Sequence, residues 1–323
     1  MKLVPSTLDR DPLDVLASLA AEPGAFLLEV PDPVRPATLL GCVPTHELRV
    51  TVDDANPLAA ITRFVAGAPQ ADATLPFPLA GGVVACLTYE LGAATVPGIV
   101  QRDPGMPLAI LRRYDPMLVH DRSTGAYALL TSDAGMRAPW LERLTAPAPA
   151  WQGPLASREL SATLGRAAYE AAVERIHDYL CAGDAYQVNL TQPFTVPLDG
   201  PAWALYARLA RRHPVPYGAY LDLGETQVVA NSPELLLRRR GRRVETHPIK
   251  GTRPRSIDPT RDAALARELV RDEKERAEHV MIVDLERNDL GRVCELGSVE
   301  VVTHARVESW ASIQHLVSIV TGR

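Results

Sequence analysis

The sequence predicts an α+β protein in which large, mainly antiparallel β-sheets are flanked by helices. The first 145 residues read as short β-like runs separated by glycine and proline, which is typical of strands joined by turns. The second half mixes longer helical patterns with further strands. With 323 residues, of which 46% are apolar and 23% charged, the chain is long enough to bury a sizeable core.

In the first half, apolar and β-branched residues gather in short runs that turn-forming residues bound. The strand-like runs are Ala25–Val30, Leu48–Val52, Gly81–Tyr89 and Ala126–Thr131. Alanine and proline then alternate through residues 146–154, a composition that favours a linker. We therefore expect an N-terminal region over residues 1–150 and a second domain over residues 160–323.

The second half opens with a helix, because Tyr169, Val173, Ile176 and Leu180 recur at helical spacing and Gly183 suits its end. The elements expected after it are a strand at 185–192, a short helix at 202–211, strands at 218–223, 227–230, 235–239 and 244–249, helices at 262–269 and 275–288, and a strand at 298–303.

Charge and composition exclude several classes of protein. A net charge of −5 provides no overall basic field for nucleic acid. No apolar run reaches the ~18 residues of a membrane span. The N-terminus has no apolar signal-peptide stretch, so we expect a cytoplasmic protein. The four cysteines are scattered without Cys-x-x-Cys spacing, and neither a P-loop nor a dinucleotide-binding glycine motif is present.

Lysine is rare in this chain, and one lysine stands in a chemically interesting place. The 34 basic residues include only three lysines, Lys2, Lys250 and Lys274. Arginine stays protonated in proteins, whereas a lysine amine can lose its proton and act as a nucleophile. Lys250 directly precedes Gly251, where the backbone can be approached closely. From position alone, an ordinary surface cation at a strand end is the stronger interpretation.

A carboxylate is predicted to face this lysine. Residues 233–250 read as a β-hairpin whose turn is centred near Arg242, which would place Glu234 directly opposite Lys250. Opposed residues have Cβ atoms about 4.5–5.5 Å apart. The pair would suit a general acid and a nucleophile, and a solvated cross-strand ion pair is the alternative. The arginine run at 238–243 is more typical of a solvated turn than of an RNA-binding site.

A second group of carboxylates lies on the helix predicted at 275–288. Glu278 shares one helical face with Met281, Ile282 and Leu285, and Glu275 lies one turn earlier. A carboxylate on an apolar face needs a partner, because an unpaired buried charge is costly. Mg²⁺ is a natural partner for such carboxylates. A salt bridge to one of the many arginines is the alternative, and the residues alone favour it slightly.

Several segments occur in the order and spacing of one known family. They are Gly183-Asp-Ala-Tyr-Gln-Val-Asn-Leu190, Asn231-Ser-Pro-Glu-Leu235, His247-Pro-Ile-Lys-Gly-Thr-Arg-Pro-Arg255, residues 277–292, Gly297-Ser-Val-Glu-Val301 and His315-Leu-Val-Ser318. In these residues the chain resembles the chorismate-utilising enzymes, and among them most closely component I of aminodeoxychorismate synthases. The first half resembles the family more loosely, through Leu27-Leu-Glu29 and Gly81-Gly-Val83.

The resemblance implies a fold like that of anthranilate synthase component I and a reaction on chorismate. It implies amination at C4 to give 4-amino-4-deoxychorismate, on the route to p-aminobenzoate and folate. It further implies Mg²⁺ as the cofactor, and ammonia delivered by a separate glutamine amidotransferase subunit. No sequence typical of a glutaminase nucleophile is present in this chain.

The resemblance assigns the catalytic roles to two residues that the hairpin argument already singled out. Lys250 matches the lysine that attacks C2 of chorismate in aminodeoxychorismate synthases, where related anthranilate synthases carry alanine. Glu234 matches the general acid that assists departure of the C4 hydroxyl. Gly251 and Thr252 would line the substrate.

Four further residues receive roles from the resemblance, and two of them are the carboxylates that the helical pattern singled out. Glu278 matches a Mg²⁺ ligand, and Glu275 matches an outer carboxylate beside it. His315 matches a histidine near the ring substituents. Gln187 stands where isochorismate-forming relatives place a water-activating lysine.

The family pattern extends well past the position of Arg323, with a Gly-Ala-Pro-Lys segment, an Ile-Arg-Thr segment and a further Mg²⁺-ligating glutamate. We therefore expect a chain that is incomplete at its C-terminus and has low activity on its own. Two alternative functions follow. The chain could be component I of an anthranilate synthase, or a catalytically inactive fragment that acts only as a binding module.

Overall fold

The computed structural model describes residues 1–323 except 70–74, 76, 78–81, 97, 101, 104, 145–146 and 156–159. The chain divides into two compact units, one formed by residues 1–149 and 206–323 and the other by residues 150–205. Helices and antiparallel sheets are both present, which confirms the predicted α+β class.

The helices and strands are numbered here in chain order. The helices are α1 Pro12–Leu19, α2 Pro57–Ala66, α3 Arg137–Glu142, α4 Arg166–Ala182, α5 Ala202–Arg212, α6 Pro259–Arg271 and α7 Glu273–Gly291, with 3₁₀ helices at Tyr89–Ala94 and Ala134–Met136. In the ranges that the structure covers, no helix is both long and apolar enough to cross a membrane.

The strands of the described residues pair antiparallel. They are β1 Lys2–Pro5, β2 Phe26–Val30, β3 Ala37–Gly41, β4 His46–Val50, β5 Val83–Leu87, β6 Ala109–Arg113, β7 Met117–Asp121, β8 Tyr127–Thr131, β9 Ser161–Ala162, β10 Phe194–Thr195, β11 Tyr217–Asp222, β12 Gln227–Ser232, β13 Leu235–Arg240, β14 Arg243–His247, β15 Ile249–Pro254, β16 Glu300–Ser309 and β17 Ile313–Gly322. The strand-like runs predicted in the first half correspond to β2, β4, β5 and β8.

One sheet combines strands from both halves of the chain. Its order is β1-β8-β7-β3-β2-β11-β12, and β11 pairs with β2 through Ala219 opposite Leu28. Leu27, Leu40 and Leu118 are fully buried in this part of the molecule. Strands β11 and β12 of the second half thus complete a sheet begun by the first half, and the predicted domain division stays a prediction.

A second sheet, of order β4-β6-β5, packs its own small core in the first half. Val50, Leu108 and Leu111 are buried there, with Ile61 and Phe64 of α2 packed against them. This sheet lies in the same compact unit as the seven-stranded sheet.

The third sheet carries most of the residues that the sequence singled out. Its order is β13-β14-β17-β15, with β16 on the other side of β17. Helix α7 packs on this sheet, where Val283 and Leu290 meet Val320 of β17. Asp272 caps α7, since its Oδ1 accepts the Glu275 N–H at 3.0 Å. Helices α6 and α7 therefore confirm the two helices predicted here, and both extend beyond the predicted bounds.

The predicted hairpin exists, but its register differs from the prediction. The turn lies at residues 241–242, so Arg240 pairs with Arg243. A further shift in β13 places Leu235 opposite His247. The expectation that residues 234 and 250 are directly opposed is therefore wrong, because a register change of one residue alters every later pair. The strand predicted at 244–249 is two strands, β14 and β15, separated by residue 248.

A β-bulge interrupts the pairing of β15 with β17. Lys250 pairs with Leu316 and Thr252 pairs with His315, which leaves Gly251 without an opposite residue. Gly251 has φ +72°, a left-handed conformation that glycine adopts readily. A Cβ atom at this residue would lie 2.9 Å from Leu269 Cδ1. Both the backbone and the packing therefore require glycine here.

In the unit of residues 150–205, α4 ends as predicted at Gly183, which has φ +81°. The strand predicted at 185–192 is wrong, because the structure has no regular element there. A strand needs a neighbour for its backbone hydrogen bonds. The strand pairing described in this unit joins only the short strands β9 and β10.

We predict that Gly251→Ala destabilises the protein more than Gly241→Ala does. Both glycines have positive φ, so each substitution costs about 1–2 kcal/mol through the backbone. A Cβ at Gly241 would meet nothing within 4 Å, whereas at Gly251 it would press on Leu269. Urea unfolding should therefore show a loss for Gly251→Ala that exceeds the Gly241→Ala loss by about 1 kcal/mol. Equal losses would contradict this packing argument.

Candidate functional site

The candidate site lies on the face of the third sheet that α7 covers. Strand β17 alternates regularly, so Leu316, Ser318 and Val320 share one face. Ser318 Oγ lies 2.6 Å from His279 Nε2 of α7, which identifies this as the helix-covered face. Residues opposed in register point to the same side, so Lys250, which pairs with Leu316, also faces α7.

Lys250 is half-buried on this face and is not held by a partner side chain. Among the residues that the structure describes, its Nζ makes no hydrogen bond and no ion pair. Its positive charge acts weakly on two α7 residues: it adds to the effect of burial that lowers the pKa of His279, and it opposes the effect of burial that raises the pKa of Glu286. The amine therefore lies near enough to α7 for its charge to act there, and it remains available to bind a ligand.

Glu234 lies beside Lys250 by a different route from the one predicted. Its Oε1 accepts the backbone N–H of Ile249 at 3.2 Å, one residue before Lys250. Its own N–H donates to Ser232 Oγ at 3.2 Å. The carboxylate is thus fixed at the start of β15, next to the lysine but not opposite it. Its role as a general acid stays a prediction.

Three predicted substrate-binding residues meet at the β-bulge. His315 Nδ1 lies 2.8 Å from the Gly251 carbonyl oxygen, which can only accept, so Nδ1 carries the proton. Thr252 Oγ1 lies 3.1 Å from the same nitrogen. The Trp310 ring stands 4.9 Å from the His315 ring and limits its movement. In a neutral imidazole the remaining nitrogen, Nε2, is an acceptor.

A buried histidine network adjoins the lysine and was not predicted. His279 is fully buried, and Ser318 Oγ, which His279 contacts, also accepts the Ala305 N–H at 2.9 Å. The His304 ring lies 5.7 Å from the His279 ring. Burial, together with the smaller effects of the charges of His304 and Lys250, lowers the pKa of His279 to about 4. His279 is therefore neutral at pH 7.

Glu286 also escaped prediction. It is half-buried on α7, and its Oε2 accepts a hydrogen bond from Thr246 Oγ1 at 2.8 Å. Burial raises the pKa of Glu286, and the negative charge of Glu234 raises it further. Glu286 lies seven residues after His279 and therefore on the same helical face. This spacing is the feature of the sequence from which Glu286 could have been predicted.

The buried face of α7 is not the apolar face that the sequence predicted, because it lies at a different position around the helix. The buried residues are His279, Val283 and Leu290, whereas Leu285 is 54% exposed. The predicted face counted apolar residues, but the sheet contacts a face that includes one histidine. Glu278 therefore lies at the edge of the buried face and not at its centre.

Glu275, predicted as an outer carboxylate of a metal site, is held by an arginine. Arg253 Nη1 lies 3.3 Å from its Oε1. The same guanidinium also pairs with Glu268 at 2.8 Å and with Asp272 at 2.7 Å. These carboxylates surround Arg253 and neutralise it, so Glu275 has a strong partner already.

Glu278, predicted as a Mg²⁺ ligand, is partly exposed and lies 3.6 Å from Lys274 Nζ. In the described ranges, no group of three histidine, cysteine, aspartate or glutamate side chains could hold a metal ion. The described residues thus provide one available carboxylate and do not by themselves fit a magnesium site. The salt-bridge alternative describes both glutamates.

Gln187 lies in the unit of residues 150–205, where it is exposed on an irregular segment. Its proposed contact with substrate stays a prediction. The arginine run is largely paired with carboxylates: Arg238 with Glu245 at 2.7 Å, and Arg240 with Asp32.

A cavity of about 270 Å³ lies elsewhere in the larger unit. Glu29, Thr38, His120 and Tyr206 are among the residues that line it, and none of the predicted site residues does. The pocket expected around Glu234 and Lys250 is therefore not the cavity found here.

Comparison with known proteins identifies the class. The family model of chorismate binding enzymes matches residues 24–323. The chain belongs to the chorismate binding enzyme family.

Particular relatives carry two different names. Anthranilate synthase component 1 of Thermus thermophilus is 41% identical over 281 residues, which cover 84% of this chain and 61% of that protein. Aminodeoxychorismate synthase component 1 of Klebsiella aerogenes is 37% identical over 280 residues, which cover 85% of this chain and 61% of that protein. The chain thus spans less than two thirds of the length of these relatives.

Solved structures agree with the fold. Anthranilate synthase component I from Streptococcus pneumoniae TIGR4 superposes with a TM-score of 0.77 at 29% identity, covering 91% of this chain and 70% of that chain. The menaquinone-specific isochorismate synthase MenF from Escherichia coli gives 0.69 at 18% identity, covering 99% of this chain and 70% of that chain, and shows the fold alone.

We predict that His279 makes the protein less stable in acid. Its pKa is about 4 when folded and about 6.5 when unfolded, so below pH 6.5 the unfolded chain binds a proton that the folded chain does not. The unfolding free energy should fall by about 2 kcal/mol between pH 7.5 and pH 5 from this residue. His279→Gln, which can still reach Ser318 but does not titrate, should lose that share of the pH slope. Identical slopes, measured in urea with a chelator present, would refute the assignment.

We predict that Mg²⁺ alone binds the chain weakly, because Glu275 is committed to Arg253 and Glu278 is the one candidate left. Isothermal titration calorimetry should show no saturable binding up to about 1 mM Mg²⁺. Glu278→Gln should behave like the unmodified chain. Saturable binding that this substitution abolishes would instead support a complete site around Glu278.

Proposed function

We propose that this chain is component I of an aminodeoxychorismate synthase, an enzyme that aminates chorismate at C4. The observation that carries the proposal is Lys250, a half-buried lysine that has no ion-pair partner among the described residues. Glu234 stands at the adjacent amide, and His315 and Thr252 lie at the bulge that follows. A nucleophile and an acid are thus available at the start of β15, whereas His315 alternates with Leu316 on β17 and lies with Thr252 on the other face of the sheet.

In the first step, the neutral amine of Lys250 forms a bond to C2 of chorismate. The ring double bond shifts, the C4–O bond breaks, and Glu234 gives its proton to the departing hydroxyl, which leaves as water. A carboxylate fixed by the Ile249 N–H is held in place for that proton transfer. A contact of His315 or Thr252 with the ring stays an expectation of the resemblance, since both side chains lie on the face of the sheet opposite Lys250.

In the second step, ammonia forms a bond at C4 and the bond between C2 and Lys250 breaks. The double bond returns to its first position, and the lysine amine is regenerated. Ammonia would come from a glutamine amidotransferase subunit, and the "component 1" names of the relatives support such a partner. A cytoplasmic location belongs to the same proposal. Mg²⁺ belongs to the proposal only through the resemblance, with Glu278 as the residue that would hold it, because the described residues do not by themselves fit a magnesium site.

A second candidate is component I of an anthranilate synthase. Relatives with that name are 41% and 40% identical to this chain. The comparisons therefore support the two candidates equally. Lys250 favours C4 amination through the resemblance, and the identity of the product separates the two. A third candidate is a binding module without catalytic activity, which the product and adduct measurements below distinguish from the first two.

We predict that Lys250 forms a covalent adduct with chorismate when ammonia is absent. Mass spectrometry of the chain incubated with chorismate and Mg²⁺ should find a peptide around Lys250 heavier by one chorismate minus one water. The first step alone gives this product, so full turnover is not needed. Lys274→Ala should retain the adduct, because Lys274 is an exposed lysine on α7.

Lys250→Ala should abolish the adduct and the formation of 4-amino-4-deoxychorismate. If the unmodified chain forms anthranilate from chorismate and ammonia without any adduct, the second candidate is correct. If chorismate binds with neither product nor adduct, the binding module is correct.

A further inference from the structure

Arg253 is a half-buried cation on β15 that the proposed reaction does not use. Its side chain is 16% exposed and is surrounded by carboxylates. Its Nε donates to Glu268 Oε1 at 2.8 Å, its Nη2 to Asp272 Oδ2 at 2.7 Å, and its Nη1 to Glu275 Oε1 at 3.3 Å. Glu268 belongs to α6, whereas Asp272 caps α7 and Glu275 lies in its first turn. The guanidinium therefore ties β15 to the junction of the two helices.

The same guanidinium also holds the backbone of the bulge. Its Nη1 donates to the carbonyl oxygen of Thr252 at 2.9 Å. Glu275 lies against the bulge as well, since a Cβ atom at Gly251 would stand 3.3 Å from Glu275 Oε2. The ion pairs of Arg253 thus fix the main chain at residues 251–252 and not only the side chains around it.

The bulge decides which face of the sheet Lys250 and Arg253 occupy. In a regular strand, residues three apart point to opposite faces. Lys250 pairs with Leu316. Arg253 pairs with Gln314, which lies two residues before Leu316 and therefore on the same face. The extra residue at Gly251 thus turns both side chains to the helix-covered side. A regular strand could not keep the guanidinium at its carboxylates and the lysine towards α7 at once.

The bulge also sets the protonation of His315 on the opposite face. Its Nδ1 lies 2.8 Å from the carbonyl oxygen of Gly251, which can only accept a proton. Thr252 Oγ1 lies 3.1 Å from the same nitrogen, and a hydroxyl can either donate or accept. The Gly251 carbonyl therefore selects the tautomer in which Nδ1 carries the proton, and the bulge places that carbonyl.

We propose that Arg253 is a positioning residue of the candidate site. Its ion pairs hold the bulge at Gly251, which keeps Lys250 facing α7 and the Gly251 carbonyl directed at His315. The inference deepens the proposed function and rests on it, since that function takes Lys250 as the nucleophile. A guanidinium suits this task, because its planar fork of N–H donors reaches several carboxylates and a carbonyl together, whereas an ammonium is a single point of charge.

The tautomer of His315 reports the state of the bulge without any substrate. In protein labelled with nitrogen-15 at histidine, NMR at about pH 8.5 distinguishes Nδ1–H from Nε2–H in each ring, because histidine is ordinarily neutral there. The chain has eight histidines, and His315→Gln identifies the signal of this residue by its loss. The unmodified chain should show the Nδ1–H form for His315.

Arg253→Gln should remove the pure Nδ1–H form of His315. Once the bulge is released, the Gly251 carbonyl no longer holds the proton, and the Thr252 hydroxyl can donate to Nδ1 instead. The signal should then move towards the Nε2–H form. Arg253→Lys keeps the charge but not the fork, so it should show a smaller movement in the same direction.

Arg238→Gln is the matched control. Arg238 belongs to the same sheet, its side chain is 15% exposed, and it also joins a carboxylate, that of Glu245, and a backbone carbonyl. Its loss should leave the His315 tautomer unchanged. An unchanged tautomer in folded Arg253→Gln, or an equal change in Arg238→Gln, would overturn the proposal. Circular dichroism verifies that each variant is folded.

Asp272→Asn tests the same anchor with little risk to the fold. Asparagine caps a helix about as well as aspartate, so α7 keeps its cap while Arg253 loses one charged partner. The His315 signal should move in the same direction as in Arg253→Gln, but by less. If Arg253→Gln does not fold, an unchanged tautomer in Asp272→Asn overturns the proposal in its place.

The effect on Lys250 is measured with chorismate. In Arg253→Gln, the rate of adduct formation on Lys250 at saturating chorismate should fall by about 100-fold, the loss typical of a nucleophile displaced by about 1 Å. Arg238→Gln should retain the rate, and an unchanged rate in Arg253→Gln would overturn the role for Lys250. The NMR measurement contains no chorismate, so it decides the anchor even if Lys250 forms no adduct, and the two proposals fail separately.

Discussion

Strand β17 is the constraint on which the candidate site depends. It pairs with β16 on one side and with both β14 and β15 on the other. Its regular alternation turns Ser318 and Val320 towards α7, and through its pairing it fixes the direction of Lys250. The bulge at Gly251 then brings Thr252 opposite His315. Backbone hydrogen bonds, more than contacts between the functional side chains, thus hold the site together.

Charge pairing distinguishes Lys250 from Arg238 and Arg253 of the same sheet. Arg253 is shared among three carboxylates, and Arg238 is paired with Glu245. Such committed guanidiniums stay in place and stay charged. Lys250, by contrast, makes no hydrogen bond or ion pair with its amine among the described residues. An available amine is what a nucleophile requires.

Part of the order of elements was readable from the sequence, where a segment carries its own local signal, whereas the helices α1, α2 and α3 of the first half were not predicted. The end of α4 at Gly183 is one example, since a glycine at a left-handed C-cap is a local feature. The strand pairing around Glu234 could not be predicted, because a shift in β13 changes the register and no local residue in the sequence indicates that shift. His279 and Glu286 were missed for a related reason. A search for apolar periodicity overlooks polar residues that become buried through a partner on another strand.

The most direct measurement uses the scarcity of lysine. In protein labelled with carbon-13 at the lysine side chain, NMR should show the signals of three lysines, and Lys2 and Lys274 serve as references. The account predicts that chorismate, added at low temperature without ammonia, shifts the Lys250 signal and leaves the other two unchanged. An unchanged Lys250 signal at a chorismate concentration that saturates binding would contradict the placement of the substrate beside this lysine.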